Sequence, residues 1–226
     1  MRVGRAGRIG ALLAGGIVLA LVLAQIFLPG IAADRIRTLV EKYGTVRSVS
    51  VTAWPAVELL WGKAGSVDVR AGNVRLSTAQ MAKLLGEARG AQSLHVTAEK
   101  VKAGPLQLED ATLQKRGDAL AASAWTSAAD VQAALGRGFE VQLLHSGGGQ
   151  VEMSVTGGLF GVKASVQAVA EAAEGKVVLH PRGFLLEGLK LTLLDEPGVY
   201  VEGVGASTAA RPSGQGYRLS FRASLR

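Results

Sequence analysis

The strongest constraint on the fold is an alternation of apolar and polar residues that recurs along most of the chain. It is clearest near the C-terminus, where apolar residues occupy every second position: Tyr217, Leu219, Phe221, Ala223 and Leu225. Successive side chains of a β-strand point to opposite faces, so this period predicts strands with one buried and one solvated face. The same pattern predicts strands over Val49–Ala53, Val67–Val69, Val74–Leu76, Leu94–Ala98, Leu106–Leu108, Phe139–Leu143, Val151–Val155, Val162–Val166, Val177–Leu179 and Leu189–Leu193.

Short helical patterns interrupt the strands. Apolar residues at helical spacing predict helices over Asp34–Tyr43, from Pro55, from Ser77 or Thr78, and from Ser127 to about Leu135. Ser127 and Asp130 have the spacing of a capping box at the start of the last helix.

The order of these segments indicates the fold class. The strands follow one another through turns rather than through long crossover helices, which argues against a parallel α/β sheet. We predict an α+β fold in which an N-terminal transmembrane or signal helix precedes a long curved antiparallel β-sheet packed on a few helices. Gly203-Val204-Gly205 lacks the third glycine of a nucleotide-binding fingerprint, so we interpret it as a plain turn.

The N-terminus has the pattern of a membrane-crossing segment. Ile9–Leu28 is an uncharged apolar run of 20 residues that follows Arg2, Arg5 and Arg8. About 20 helical residues cross the hydrocarbon core of a bilayer, and Pro29-Gly30 is expected to end the helix at the membrane exit. Arginines before such a segment stay in the cytoplasm, so the chain after it lies outside.

Two fates of this segment remain open. Either it anchors a single-pass protein in the cell membrane, or cleavage near Gly30-Ile31-Ala32 releases the protein into the envelope. The predicted division is residues 1–33 as a cytoplasmic basic tip and signal-anchor helix, and residues 34–226 as an extracytoplasmic β-rich domain.

Composition excludes several classes of function. The chain has no cysteine, which removes disulfides, thiolate metal sites and thiol nucleophiles. Its net charge of +7 is spread without a run of five or six basic residues, so no nucleic-acid partner is expected. His95, His145 and His180 are dispersed, and the His145-Ser146 pair lacks a nucleophile-elbow motif. We predict no catalytic residues, no metal and no cofactor.

Residues 53–73 read AWPAVELLWGKAGSVDVRAGN, with an aromatic-proline pair, a hydrophobic helical segment, a glycine and a V-x-V strand. This segment resembles the LmeA-like phospholipid-binding family of bacterial envelope proteins. The residues that match are Trp54, Pro55, Leu59, Leu60, Gly62, Val67 and Val69. The resemblance implies a tubular lipid-binding fold and phospholipid binding that supports the assembly or maintenance of the envelope. It brings no established catalytic residues.

Three functional hypotheses follow, of which the third, a hydrolase acting on envelope polymers, would require His145 to converge with Ser146 and a carboxylate in a cleft. The first is an envelope phospholipid-binding protein that holds acyl chains in an apolar groove; its partners would be a phospholipid or other membrane lipid, and the membrane through the N-terminal helix. We expect the groove to be lined by Trp54, Val57, Leu60, Trp61, Val67, Val69, Leu84 and Leu85. The alternative is a non-enzymatic envelope scaffold or adaptor without a cavity, in which the apolar face simply packs against helices and an envelope protein is the partner.

Overall fold

The computed structural model describes residues 23–25, 27–54, 56, 59, 63–77, 80, 90–103, 105–136, 138–159, 162–182, 190–195 and 197–226. Most of the predicted membrane-crossing run lies outside these residues. Among the helices that the structure does describe, none has the length and apolar character needed to cross a bilayer.

The described chain is dominated by β-strands. They are β1 Gly44–Thr52, β2 Ala64–Leu76, β3 Ala91–Ala103, β4 Leu106–Arg116, β5 Ala119–Ser127, β6 Phe139–Gly147, β7 Gln150–Leu159, β8 Val162–Ala173, β9 Lys176–Arg182, β10 Leu191–Leu194, β11 Val199–Arg211 and β12 Gly214–Leu225. They form a seven-stranded sheet in the order β1-β2-β3-β4-β5-β12-β11 and a five-stranded sheet in the order β10-β9-β8-β7-β6. The prediction of a sheet-rich fold is confirmed, but the strands form two sheets rather than one.

One pair of neighbouring strands departs from the predicted antiparallel arrangement. β2 and β3 run parallel, from Ala64 opposite Ala91 to Leu76 opposite Ala103. Parallel neighbours need a crossover of about a dozen residues or more, and residues 77–90 supply one. Every other pair of neighbouring strands in the described sheets is antiparallel.

The turns of the five-stranded sheet cover the edge of the larger sheet at β11. The Val201 N–H donates to the Gly175 carbonyl oxygen at 2.8 Å, and the Val204 N–H donates to the Gly149 carbonyl oxygen at 3.0 Å. An open strand edge exposes unpaired backbone N–H and C=O groups. These two contacts give two N–H groups of β11 acceptors within the molecule.

The interpretation of Gly203-Val204-Gly205 as a turn is wrong, because all three residues lie inside β11. A Cβ atom on Gly203 would lie 3.2 Å from the Cα of Gly149, so glycine lets the turn before β7 approach this strand. β5, rich in alanine and serine, was not predicted either.

Two of the helices in the described part of the chain pack beside the seven-stranded sheet. Helix α1 covers residues 27–41, and residues 23–25 are also helical. It continues through Pro29 and Gly30, so the predicted break there is wrong. Proline has no N–H to donate to the helix. The packing of Ala32, Ala33 and Ile36 against the buried core of β1–β3 outweighs that lost hydrogen bond.

Helix α2 is Ala128–Leu135, and its predicted cap is confirmed: the Asp130 N–H donates to Ser127 Oγ at 2.9 Å. Ser77 forms a second capping box. The Gln80 N–H donates to Ser77 Oγ at 3.3 Å, and the Ser77 N–H donates to Gln80 Oε1 at 2.8 Å. Ser77 is therefore the cap residue of the helix predicted from Ser77 or Thr78.

Candidate functional site

One face of the seven-stranded sheet carries an apolar row that crosses every strand. Directly paired residues share a face, and the pairing links one residue from each strand. This central row consists of Val49, Val69, Val96, Leu113, Ala122, Phe221 and Val204. A second row lies one step nearer the end of the sheet where β2 begins. This end row consists of Val51, Val67, Leu94, Lys115, Leu120, Ala223 and Val201.

The two rows differ in exposure. All seven residues of the end row are buried. In the central row only Val69 is buried, and the other six side chains are half-buried. The central row is therefore a continuous apolar strip that keeps some access from outside.

Helix α1 covers one part of this face. Ala32, Ala33 and Ile36 pack on the core of β1–β3, and Val96 and Leu113 join the same cluster. Phe221 and Val204 lie at the other side of the sheet, on β12 and β11. The strip thus extends from beneath the helix towards the second sheet.

A side-chain hydrogen-bonding bridge fixes the corner before β2. Gln25 Nε2 donates to the Ala53 carbonyl oxygen at 3.2 Å, and the Ala56 N–H donates to Gln25 Oε1 at 2.7 Å. Ala53 and Ala56 are buried, whereas Trp54 between them is 81% exposed. The bridge therefore holds the tryptophan outward at the N-terminal end of the helix.

The side of the helix that faces away from the sheet is apolar near Trp54. Leu23, Phe27 and Ile31 are spaced by four residues and are exposed. We call these three residues and Trp54 the apolar rim. Further along the helix the exposed residues become charged, beginning with Asp34 and Arg35.

Lys115 is the one charged residue in the end row. It is 3% exposed, and its Nζ donates to the Ala91 carbonyl oxygen. Its neighbours across the strands are Leu94 and Leu120. A cavity of about 160 Å³ adjoins it and is also lined by Asp118, Leu225 and Arg226.

The opposite face of the sheet is polar. A groove of about 320 Å³ lies between β2, β3 and β4, and its lining combines polar residues such as Ser66, His95 and Gln114 with Val67, Leu94 and Lys115 of the end row. This mixed lining suits acyl chains less well than the central row does.

The predicted groove residues divide into three sets. Val67 and Val69 lie on the apolar face, in the end and central rows. Trp54 points to solvent rather than into a groove, because the Gln25 bridge buries the alanines on either side of it. The remaining residues lie outside the described part of the chain: Val57, Leu60, Trp61, Leu84 and Leu85.

Twelve of the fourteen residues in the two rows were not predicted as site residues, and they include Leu113, Lys115, Ala122 and Phe221. The alternation that predicts the C-terminal strand had already placed Phe221 on its apolar face. Leu113 and Lys115 are two positions apart and therefore share a face of β4, but the sequence pattern predicted this strand only over Leu106–Leu108.

Ser146, the residue considered as a nucleophile, has a structural contact. Ser146 Oγ accepts a hydrogen bond from the Ala206 N–H at 2.9 Å, which ties β6 to β11. Within the described ranges, no group of three or more histidine and carboxylate side chains has the arrangement of a metal site.

Comparison with known proteins gives one family. No curated protein sequence and no solved structure matches the chain. The LmeA-like phospholipid-binding family matches residues 19–211, which include α1, the Trp54 corner and most of both sheets. The chain therefore belongs to the LmeA-like phospholipid-binding family.

Proposed function

We propose that this protein binds a phospholipid in the cell envelope and holds the acyl chains against the central row of the seven-stranded sheet. The observation that carries the proposal is the row itself, seven apolar residues long and mostly half-buried. Membership of the family supports a phospholipid as the ligand.

The dimensions of the row suit acyl chains. Six strand spacings of about 4.8 Å give about 29 Å, close to the hydrocarbon thickness of a whole bilayer of about 30 Å. The chains of one leaflet are about half as long and would fit along it. Each methylene group that leaves water would contribute about 0.8 kcal/mol to binding.

The apolar rim supports contact with a membrane surface. Tryptophan favours the interface between water and lipid, and Trp54 is the most exposed of the large apolar residues described. We place residues 34–226 outside the cytoplasm, held at the cell membrane by the N-terminal segment or released into the envelope after cleavage. The protein would support lipid or glycolipid maintenance there without catalysing a reaction.

Native mass spectrometry of the full-length chain, followed by organic extraction and lipid analysis, tests the proposal. We expect phospholipid bound in stoichiometric amount. In Ala122→Phe the new ring would occupy the central row between Leu113 and Phe221, and the bound lipid should fall several-fold. Ala121→Phe is the matched control, because Ala121 immediately precedes Ala122 on β5 and is exposed on the opposite face.

Two outcomes would contradict the proposal in different ways. A chain that carries no lipid and takes none from vesicles would refute the proposal and favour the scaffold or adaptor hypothesis. Equal lipid retention by the Ala122→Phe variant and the wild type would place the acyl chains elsewhere.

A further inference from the structure

We propose that the ammonium group of Lys115 binds the phosphate ester of the lipid, so that the end row holds the headgroup beside the acyl chains. This inference rests on the proposed function and names the polar part of the same site. It starts from the position of one charged residue in an otherwise apolar row.

The burial of Lys115 needs an explanation. The six other residues of the end row are apolar, and the lysine is as buried as they are. Burying an ammonium group costs several kcal/mol unless an anion compensates it. None of the ion pairs found among the described residues includes Lys115.

The hydrogen bonds of the ammonium group are also incomplete in the described structure. An ammonium group has three donors, and the Ala91 carbonyl oxygen accepts from Nζ. A phosphate ester offers anionic oxygens that accept such donors and supplies the missing negative charge.

The adjoining cavity has the size for a phosphate group. Its volume of about 160 Å³ equals the share of roughly five water molecules in the liquid. Arg226 and Asp118 also line it, and the Arg226 guanidinium stacks on the Tyr200 ring, 3.7 Å from the ring centroid. The Leu225 N–H donates to the Asp118 carbonyl oxygen at 2.8 Å and fixes this wall.

The cavity also lies at the right place relative to the acyl strip. Leu113 belongs to the central row and is two residues from Lys115, a separation of about 7 Å along a strand. A phosphate at Lys115 would therefore place the acyl chains on Leu113, Ala122 and Phe221.

The test compares two lipids that differ in their phosphate. Full-length protein is incubated with phosphatidylcholine vesicles that contain equal amounts of dioleoylphosphatidylglycerol and dioleoylglycerol, re-isolated, and analysed for both. The wild type should prefer the phospholipid. Lys115→Met keeps an unbranched side chain, and it should reduce this preference about tenfold or more while dioleoylglycerol is still retained, as expected for one buried charge-assisted hydrogen bond.

Folding is checked by thermal unfolding of the lipid-free proteins. Lys115→Met should melt at the same temperature or higher, because removing a buried charge that lacks an anion is neutral or stabilising. Lys115→Arg keeps the charge and should keep the preference. Lys102→Met removes an exposed lysine from the adjacent strand β3 and serves as the control.

An unchanged preference in Lys115→Met would overturn the inference and leave the proposed function standing. A wild type that retains neither of these lipids nor phosphatidylcholine would refute the proposed function itself. Stabilisation of the wild type by glycerol phosphate, without preference between the two lipids, would assign the site to a free phosphate ester and overturn its role as a lipid headgroup site.

Discussion

The indole ring of Trp125 lies over the backbone of Gly216. A Cβ atom at Gly216 would be 2.5 Å from Trp125 Cζ2, and the same atom would be 2.3 Å from the Thr126 carbonyl oxygen. Trp125 is buried, its Nε1 donates to the Ala209 carbonyl oxygen at 3.2 Å, and the Arg211 guanidinium lies 4.6 Å from the ring centroid. The absence of a side chain at position 216 thus makes room for the ring where β5 pairs with β12.

Gly216→Ala should therefore destabilise the protein. The methyl group would force the Trp125 ring or the backbone of β5 to move, and overpacking of this kind costs about 1–3 kcal/mol of unfolding free energy. Urea unfolding followed by tryptophan fluorescence measures the change. A variant as stable as the wild type would show that the ring does not occupy this position.

Gly30→Ala should have the opposite effect. Gly30 is helical in α1, and no atom lies within 4 Å of a Cβ placed there. Alanine in a helix interior is favoured over glycine by about 0.5–1 kcal/mol, so the melting temperature should rise. A fall in melting temperature would contradict a helix that continues through Pro29 and Gly30.

Removal of the Gln25 bridge should loosen the corner that carries Trp54. Gln25→Leu leaves the Ala56 N–H and the Ala53 carbonyl oxygen without these partners, which should cost about 1–3 kcal/mol. Gln25→Glu keeps an acceptor for the Ala56 N–H and loses only the donor, so its loss should be smaller. Thermal unfolding of the wild type and the two variants ranks their stabilities. An equal loss of stability in both variants would argue against two separate hydrogen bonds.

The exposure of Trp54 predicts a kinetic role. Trp54→Ser should change the unfolding free energy by less than about 0.5 kcal/mol, as is usual for exposed positions. If the apolar rim contacts the membrane, the same variant should slow the transfer of phospholipid from vesicles to the protein several-fold. Leu191→Ser, at an exposed residue of the second sheet, is the control. Equal initial rates in both variants and the wild type would exclude Trp54 from the contact.

The Lys176–Asp195 ion pair predicts a small dependence of stability on alkaline pH. Lys176 Nζ lies 2.8 Å from Asp195 Oδ2, and this hydrogen bond raises the pKa of the lysine. Because the pKa is raised on folding, the stabilisation is complete below the ordinary lysine pKa of about 10.4 and is lost as the pH rises through the higher folded value. Asp195→Asn should melt slightly below the wild type at pH 8, and the difference should vanish above the folded pKa. A difference that persists there would have another cause.

The alternation of apolar and polar residues predicted the strands well where it was strict. It failed at β11, since the glycines at 203 and 205 are there for contacts with residues distant in sequence. Gly205, for example, lies where a Cβ atom would meet Ser220 Oγ at 2.6 Å. It failed at Pro29-Gly30 because packing against the sheet overrides the low helix propensity of both residues.

The site required information that the sequence pattern lacks. The face of Lys115 follows from its spacing to Leu113, but its depth does not, because burial depends on strands paired from distant parts of the chain. The parallel pairing of β2 and β3 likewise depends on the crossover through residues 77–90 and leaves no mark on the alternation in either strand. The family resemblance, in contrast, was confirmed over residues 19–211.

The position of β12 has a consequence for folding. This strand is paired on both sides, with β5 and with β11, although residues 128–213 separate it from β5 along the chain. The seven-stranded sheet cannot join β11 to its first five strands until β12 inserts between them. High contact order of this kind slows folding, so the final joining should be a late step. Early termination of synthesis within β12 would leave β5 and β11 without their shared neighbour, and such exposed strand edges are prone to aggregation and proteolysis.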